Sequence, residues 1–538
     1  MSKHERSQSS EDVLRHPSTK QAKVVDKHAP YEALVEALEQ QIARDTKPHN
    51  VLHWFRQDLR LEDNRSLSAA SEKAREGGGA LITCFLFSPK DMDWHGESPA
   101  RTDFLLETLR LLQQQLKELN IPLAFIKAEE RMDKGDRMME FIGQNDVSHV
   151  SANFEYEPDE LRRDVELLER LGKEKSDVRF DIYHDQTIVE PATLVTGTGT
   201  PLKVFTPYHR SWLAEVGEDP SLFDMVSNPE ANDKGVTSKL KDLFESKVPD
   251  VPESKAFESE EKRDRVRKLW PAGHKGGRAR LDDFLTNKVG IYAETRSNPA
   301  KDSSSRMSPY FSSGAISLRE TVTACRKANN NANFDGSGDA GIAAWVRELV
   351  FREFYRHMMV ISPHDGMNLP HNLKFDFVEW EDDEEGYEKW CNGQLGVPFV
   401  DAGMRQLKEE AYMHNRLRMN TASYLRTNML IDYRRGERFF AENLVDWDLC
   451  NNTQGWEPSY TVFNPVSQAE RNDPDGDYIR RWVPELKGVK GKAVFDPYHR
   501  LGKEEFEKLG YPKPHLDFAE TKERCIQRYK RDMADAEP

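Results

Sequence analysis

Five short apolar runs of strand length, VLHWF, ALITCFLF, PLAFIKA, VSHVSAN and FDIYH, punctuate residues 51–184, with amphipathic stretches between them. The clearest such stretch is ARTDFLLETLRLLQQQLKEL, Ala100–Leu119, whose leucines recur at intervals of three and four and so share one helical face. Alternation of strand and helix predicts a parallel sheet covered on both faces. From about Leu269 the pattern changes: WVRELVFREFYRHMMV, VDAGMRQLKEEAYM and YMHNRLRMNTASYLRTNML are all helical in period. The predicted fold class is an α/β N-terminal domain with a doubly wound parallel sheet, followed by an all-α C-terminal domain.

Polar patterning sets the boundaries. Residues 1–48 read as a largely disordered lead with one amphipathic piece, YEALVEALEQQIA, and residues 49–205 as the α/β domain. Residues 206–268, rich in Asp, Glu, Ser, Lys and Pro, read as a connector wrapped over the surface or partly disordered. Residues 269–515 form the helical domain and residues 516–538 a C-terminal tail.

Composition narrows the class. At 538 residues the chain exceeds one ordinary core. No apolar run approaches the roughly 18 residues of a membrane span, and the polar start lacks an apolar signal core, so no membrane association is expected. The five cysteines are scattered, with no CxxC pair, which argues against a disulfide framework and against a structural zinc site. A net charge of −16 excludes a protein that coats nucleic acid over its whole surface, but allows a local basic patch.

Such a patch lies between Gly403 and Phe440, where eight Arg/Lys face four Asp/Glu. Arg416 and Arg418 stand beside His414 and Asn415, and the run is interleaved with Met413, Leu417, Met419 and Leu425, which a solvated face would not need. Phosphates of a nucleic acid or of a diphosphate cofactor suit it. The SSSR segment, Ser303–Arg306, precedes a helical run and suits a phosphate or an ordinary helix cap. Glu348, Phe351 and Tyr355 share one helical face, where they could meet a flat polar ligand; Glu348, Arg352 and Arg356 could equally form ion pairs at i+4. Asp446, Asp448 and Asn452 precede Trp456 and offer hydrogen bonds to a heterocycle. Asp-x-Asp lacks the remaining ligands of a calcium loop, and His357, His364 and His371 recur every seven residues with nothing else to mark them as ligands. No metal is expected.

Several of these stretches carry a resemblance. VLHWFRQDLRLEDNRSL resembles the opening strand and loop of the photolyase/cryptochrome flavoproteins. RELVFREFYRHMM, GVPFVDAGMRQL, YMHNRLRMNTASYL, GERFFAENLVDWDL and DPDGDYIRRWVPEL are similar, in order, to signature blocks of class I cyclobutane-pyrimidine-dimer photolyases. The likeness runs from about Val51 to Leu486. It implies light-driven DNA repair, with an electron passing from excited reduced FAD to a pyrimidine dimer flipped out of UV-damaged DNA and then returning. It also implies an FAD site of Tyr292, Ser304, Ser305, Arg306, Met307, Ser308, Trp345, Glu348, Arg352, Asn415, Arg418, Asp446, Asp448 and Asn452, with Asn452 facing flavin N5. Phe351, Asn415, Arg416 and Met419, with Glu348, would meet the lesion. Trp456, Tyr433 and Trp380 would refill the flavin with electrons, and Glu160 would contact a methenyltetrahydrofolate antenna. Further implications are a monomer and, from the DNA substrate, nuclear residence.

The chain departs from that pattern in four places. Phe351 replaces a dimer-stacking tryptophan, and Pro458 a second. The chain runs from Trp456 through EPSYTV directly into FNP, without the pocket-walling insertion of its relatives, so that Thr461 stands where an arginine is usual. Tyr433 replaces the middle tryptophan of the relay. These departures keep open the alternative of a cryptochrome-type blue-light receptor that signals through partners, with repair weakened or lost.

Overall fold

The computed structural model describes residues 14–41, 49–175, 177–534 and 536–538. Within the lead, helix α1 (Thr19–Lys27) starts at a Ser18–Gln21 capping box and α2 (Pro30–Glu39) buries Leu34. The expectation of a largely disordered lead therefore fails between residues 14 and 41. Tyr31 packs against Phe154, Tyr156 and His184, and that apolar anchorage orders the segment. The remainder of the lead lies outside the described residues.

All five apolar runs are strands: β1 (Asn50–Phe55), β2 (Leu81–Phe87), β3 (Leu123–Lys127), β4 (Val147–Asn153) and β5 (Arg179–Tyr183). They pair in parallel in the order β3-β2-β1-β4-β5, with Val51 opposite Leu81 and Leu52 opposite Val150. Continuous burial of β1 from Val51 to Phe55 reflects cover on both faces. The cover comes from α3 (Arg65–Gly77), α4 (Pro99–Glu118), α5 (Lys134–Gln144) and α6 (Pro158–Glu174). Asn64 caps α3 and Ser98 caps α4, whose Leu106, Leu109, Leu112 and Leu116 are buried at the predicted period. Each such leucine contributes roughly 1.5–3 kcal/mol of burial.

The connector is wrapped on the α/β domain. After α7 (Phe205–Glu218), the Asn232 side chain bonds both the N–H and the carbonyl of Leu81, and Ser246 Oγ accepts from Phe125 N. The helical half is built around α8 (Ala340–Ile361), α9 (Pro398–Glu410), α10 (Asn415–Ser423), α11 (Tyr433–Ala441) and α12 (Leu449–Trp456). A π-helical turn, Tyr424–Asn428, follows α10 and directs Arg426 onto the carbonyls of Trp456 and Glu457. The predicted tail instead contains a helix, α13 (Phe518–Ala534), because Cys525, Tyr529 and Met533 form one apolar face that docks on Phe375 and Leu430.

The two halves share buried polar seams. Glu353 on α8 accepts hydrogen bonds from Ile188 N, Val189 N and Trp212 Nε1. Arg319 pairs with Asp63 and Asp185 without solvent exposure.

Candidate flavin site

Residues 303–308 form an irregular turn in which Arg306 takes φ = 52°. The helix that follows, Ser308–Ser312, is a single turn rather than the longer helix the SSSR pattern suggested. Three elements converge on it. Trp345 of α8 donates its indole N–H to Ser305 Oγ at 3.1 Å. Ser308 Oγ donates to Asp446 at 2.5 Å, and Arg418 of α10 donates to both Asp446 oxygens at 3.0 and 2.8 Å. The guanidiniums of Arg306 and Arg418 lie 5.5 and 5.3 Å from the Tyr412 ring centre, a tyrosine that sequence reasoning missed. Tyr292 joins through Phe284, which packs edge-on against it and 4.5 Å from Trp345. Met307 is buried in the core beneath.

Arg352 has an unusual environment. Its guanidinium donates only to the carbonyls of Gln186 and Phe311, at 2.8 and 3.0 Å, and its Nε is buried without a partner. Burial, followed by repulsion from Arg356, pushes its pKa down to about 9. The helix-face ion pairs proposed for this stretch do not form: Glu348 pairs with Arg296, and Arg356 with Asp448. Asp448 and Glu353 offset part of its charge, and the unpartnered Nε–H remains as a donor for an electron-rich ligand. This is the physical test of an FAD site here, and the residues fit it.

Asp448 also has a framework role. It caps α12 by accepting from Asn451 N, and it pairs with the fully buried Arg356. Its hydrogen bonds therefore tie it to the helix framework and not to the Arg418–Asp446 set. Asn452, one turn along, donates its amide to Glu437 O at 3.0 Å, which leaves its carbonyl oxygen as an acceptor.

At the outer rim, Asn415 and Met419 are exposed and Arg416 donates to Ser297 Oγ at 3.1 Å. Burial, then the charges of Arg471 and Arg296, lowers the Arg416 pKa. Three guanidiniums thus crowd one edge of an acidic protein. Phe351 is stacked on Phe205, 8° from parallel, so one of its π-faces is already covered. Trp456 is buried edge-on to Phe440 and to Trp390, another residue missed in the sequence. Tyr433 and Trp380 form a separate pair, 6.2 Å apart.

A cavity opens at the carboxyl ends of β1, β2 and β4, where the strand order reverses. Trp54, Arg56, Arg163, Glu155, Glu157 and Glu160 line it, and Trp447 and Asp448 close it from the helical half. Arg56 and Arg163 lie 4.1 and 4.6 Å from the Trp54 ring centre. Burial and mutual repulsion among the carboxylates push Glu157 and Glu160 up to about 7, so this pair retains a proton near neutrality.

A doubly wound sheet joined to a helical half that holds an anion-seeking cofactor cradle defines a two-domain flavoprotein. Residues 51–225 match the family described as DNA photolyase, and residues 345–531 match the FAD binding domain of DNA photolyase. The deoxyribodipyrimidine photo-lyase of Neurospora crassa is 39% identical over 529 residues, covering 94% of this chain and 86% of that protein. A bacterial class III photolyase from Agrobacterium tumefaciens superposes with a TM-score of 0.76 at 29% identity, covering 92% of this chain and all of its own. An archaeal photolyase from Sulfolobus tokodaii, described with two FAD molecules, superposes with a TM-score of 0.68 at 25% identity, covering 90% and 100%. The chain belongs to the DNA photolyase family.

Proposed function

We propose that the chain is a deoxyribodipyrimidine photo-lyase, a light-driven flavoenzyme that splits cyclobutane pyrimidine dimers in UV-damaged DNA. The observation that carries this reading is the cluster of Trp345–Ser305 and Ser308–Asp446–Arg418 hydrogen bonds, with Arg416 close to Arg471 and Arg296 at the rim. When bound, FAD supplies the excited electron donor. The chain's residues bind and orient it. Ser305, Arg306 and Ser308 take its phosphate and ribityl portions, and Arg418 and Asp446 form a fixed donor–acceptor pair at its ring. Asn452, its amide committed to Glu437 O, presents an acceptor oxygen toward N5. The rim arginines hold DNA phosphates, and Glu348, Asn415 and Met419 face the flipped dimer.

Glu160 holds a second chromophore, a folate-type antenna, in the cavity at the strand ends, where its carboxyl, pushed up to about 7, can donate a proton to a ring carbonyl. Nuclear residence follows from the DNA substrate. A second reading, a blue-light receptor with weakened repair, draws support from the Phe205 ring that covers one face of Phe351.

The test is blue illumination of the reduced holoprotein with an oligonucleotide carrying one thymine dimer, read by chromatography. Recovery of intact thymines supports the enzyme. Persistent dimers in the presence of bound FAD support the receptor.

A further inference from the structure

Beyond the flavin and antenna sites, three donors from the segment after α8 meet at one point. His364 Nε2 lies 3.2 Å from Asp365 Oδ1, and His371 Nδ1 lies 3.1 Å from both Asp365 oxygens. One ligand atom from each residue falls within 4.8 Å of the others. Each donor is oriented from behind. The Asp26 carboxylate of α1 holds His364 Nδ1 at 2.7 Å, and Gln454 of α12 donates to Asp365 Oδ2 at 2.9 Å. A carboxylate on one imidazole nitrogen fixes the tautomer and leaves the other nitrogen's lone pair for a ligand. The carbonyl of His371 accepts a hydrogen bond from His364 Nε2–H at 3.2 Å, so the ion would take the place of that proton.

Charge points the same way. Asp365 is 2% exposed, and Glu457, which accepts from His371 N and Asn372 N, is close by. Among the described residues, no lysine or arginine side chain forms an ion pair with Asp26, Asp365 or Glu457, and Asp26 and Asp365 face only the imidazoles of His364 and His371. The similar cluster of Asp91, His95 and Glu160 differs, since Arg131 and Lys134 already compensate Asp91. Carboxylates gathered this way in the interior call for a cation.

We propose that His364 Nε2, His371 Nδ1 and the Asp365 carboxylate bind one divalent transition-metal ion, with Asp26 as the outer carboxylate that orients His364. Two imidazoles and a carboxylate suit zinc and its neighbours and are poorly matched to calcium or magnesium. The His371 side chain is 38% exposed, which leaves an open coordination position and an entry path. The ion would pin the N-terminal helix to the flavin-binding half and, through Gln454, brace the helix that carries Asn452 and Trp456.

The experiment uses the full-length holoprotein, stripped with EDTA and then given Zn(II). Metal retained after gel filtration and the thermal midpoint are measured, and Co(II) is used as an absorbing substitute. One retained equivalent, a raised midpoint and visible Co(II) bands are expected, all lost in His371→Ala with flavin absorbance unchanged. Asp26→Asn, which leaves all three ligands in place, should weaken zinc about 10- to 100-fold. It also keeps the test decisive should His371→Ala fold poorly. No retained equivalent in the wild type, or equal retention in both variants, overturns the proposal.

Discussion

Tyr433 packs 6.2 Å from Trp380 at an interplanar angle of 63°, and its hydroxyl is buried without a hydrogen-bond partner. Burial pushes that phenol's pKa well above its ordinary value. Removing an electron from a phenol near neutral pH requires a place for its proton, and none adjoins Oη. In the proposed relay from Trp380 to Trp456, electron flow would be obstructed at this position. Tyr433→Trp should speed photoreduction of oxidised flavin by about tenfold or more, a change in barrier of about 1.4 kcal/mol, while Tyr433→Phe should slow it further. Repair by chemically reduced protein should be the same in all three. Transient absorption on oxidised holoprotein is the measurement, and equal rates for the wild type and Tyr433→Trp would refute the obstruction.

Gly436 lies under Trp456. A methyl group there would meet the indole edge at 2.3 Å and Leu425 at 2.6 Å. Trp456 is boxed in by Phe440 at 4.9 Å and Trp390 at 6.1 Å, so the ring cannot yield without moving α12. Overpacking of this kind costs roughly 1–3 kcal/mol. Gly436→Ala should lower stability to denaturant by that amount and, by tilting α12, reduce the flavin retained on purification. A variant with wild-type stability and flavin content would show that the indole has room to move.

These two positions show what could be read in the chain and what could not. The strands were legible because β1 to β5 are short apolar runs bounded by polar turns, and α4 because Leu106, Leu109, Leu112 and Leu116 keep one period. The Arg418–Asp446 pair spans 28 residues, yet both members stand in recognisable blocks. The helix cap and the buried pair made by Asp448 were not legible, because spacing shows neither the cap nor Arg356, 92 residues away. Phe205 was invisible as a partner of Phe351, since it begins α7 in the polar connector. The helix at Phe518–Ala534 was missed because its apolar face, Cys525, Tyr529 and Met533, is narrow and embedded in charge.

Asp446 accepts two hydrogen bonds from Arg418 and a third from Ser308, at the centre of the proposed flavin site. Its side chain is 2% exposed, against 25% for Arg418. Asp446→Ala would leave the guanidinium half-desolvated and free to swing. Because Arg418 still reaches water, the cost to the fold should be modest, about 2 kcal/mol rather than the larger figure for a fully buried pair. Flavin binding should suffer more than the fold. Fluorescence titration of released flavin is expected to show weaker binding by at least tenfold, with circular dichroism unchanged. Retention equal to wild type would remove Asp446 from the site.

Acid stability depends on Asp58, in the loop that follows β1 and meets the helical half where Leu59 N donates to Ser313 O. Burial would raise the pKa of this carboxyl. The hydrogen bond and charge of His53, the Arg56 N–H and the Arg60 guanidinium outweigh burial and hold it down to about 2. Asn153 and Asn64 also donate to it, at 2.7 and 3.1 Å. A carboxyl whose folded pKa lies below its unfolded value adds stability above the ordinary carboxylate range, and loses it as pH falls through the folded value. The window here is about pH 4 to 2, and the shift corresponds to roughly 2 kcal/mol. Denaturant melts of the wild type and Asp58→Asn should differ most at pH 6 and converge toward pH 2. A difference that stays constant with pH would mean that Asp58 acts through its shape and hydrogen bonds and not through its charge.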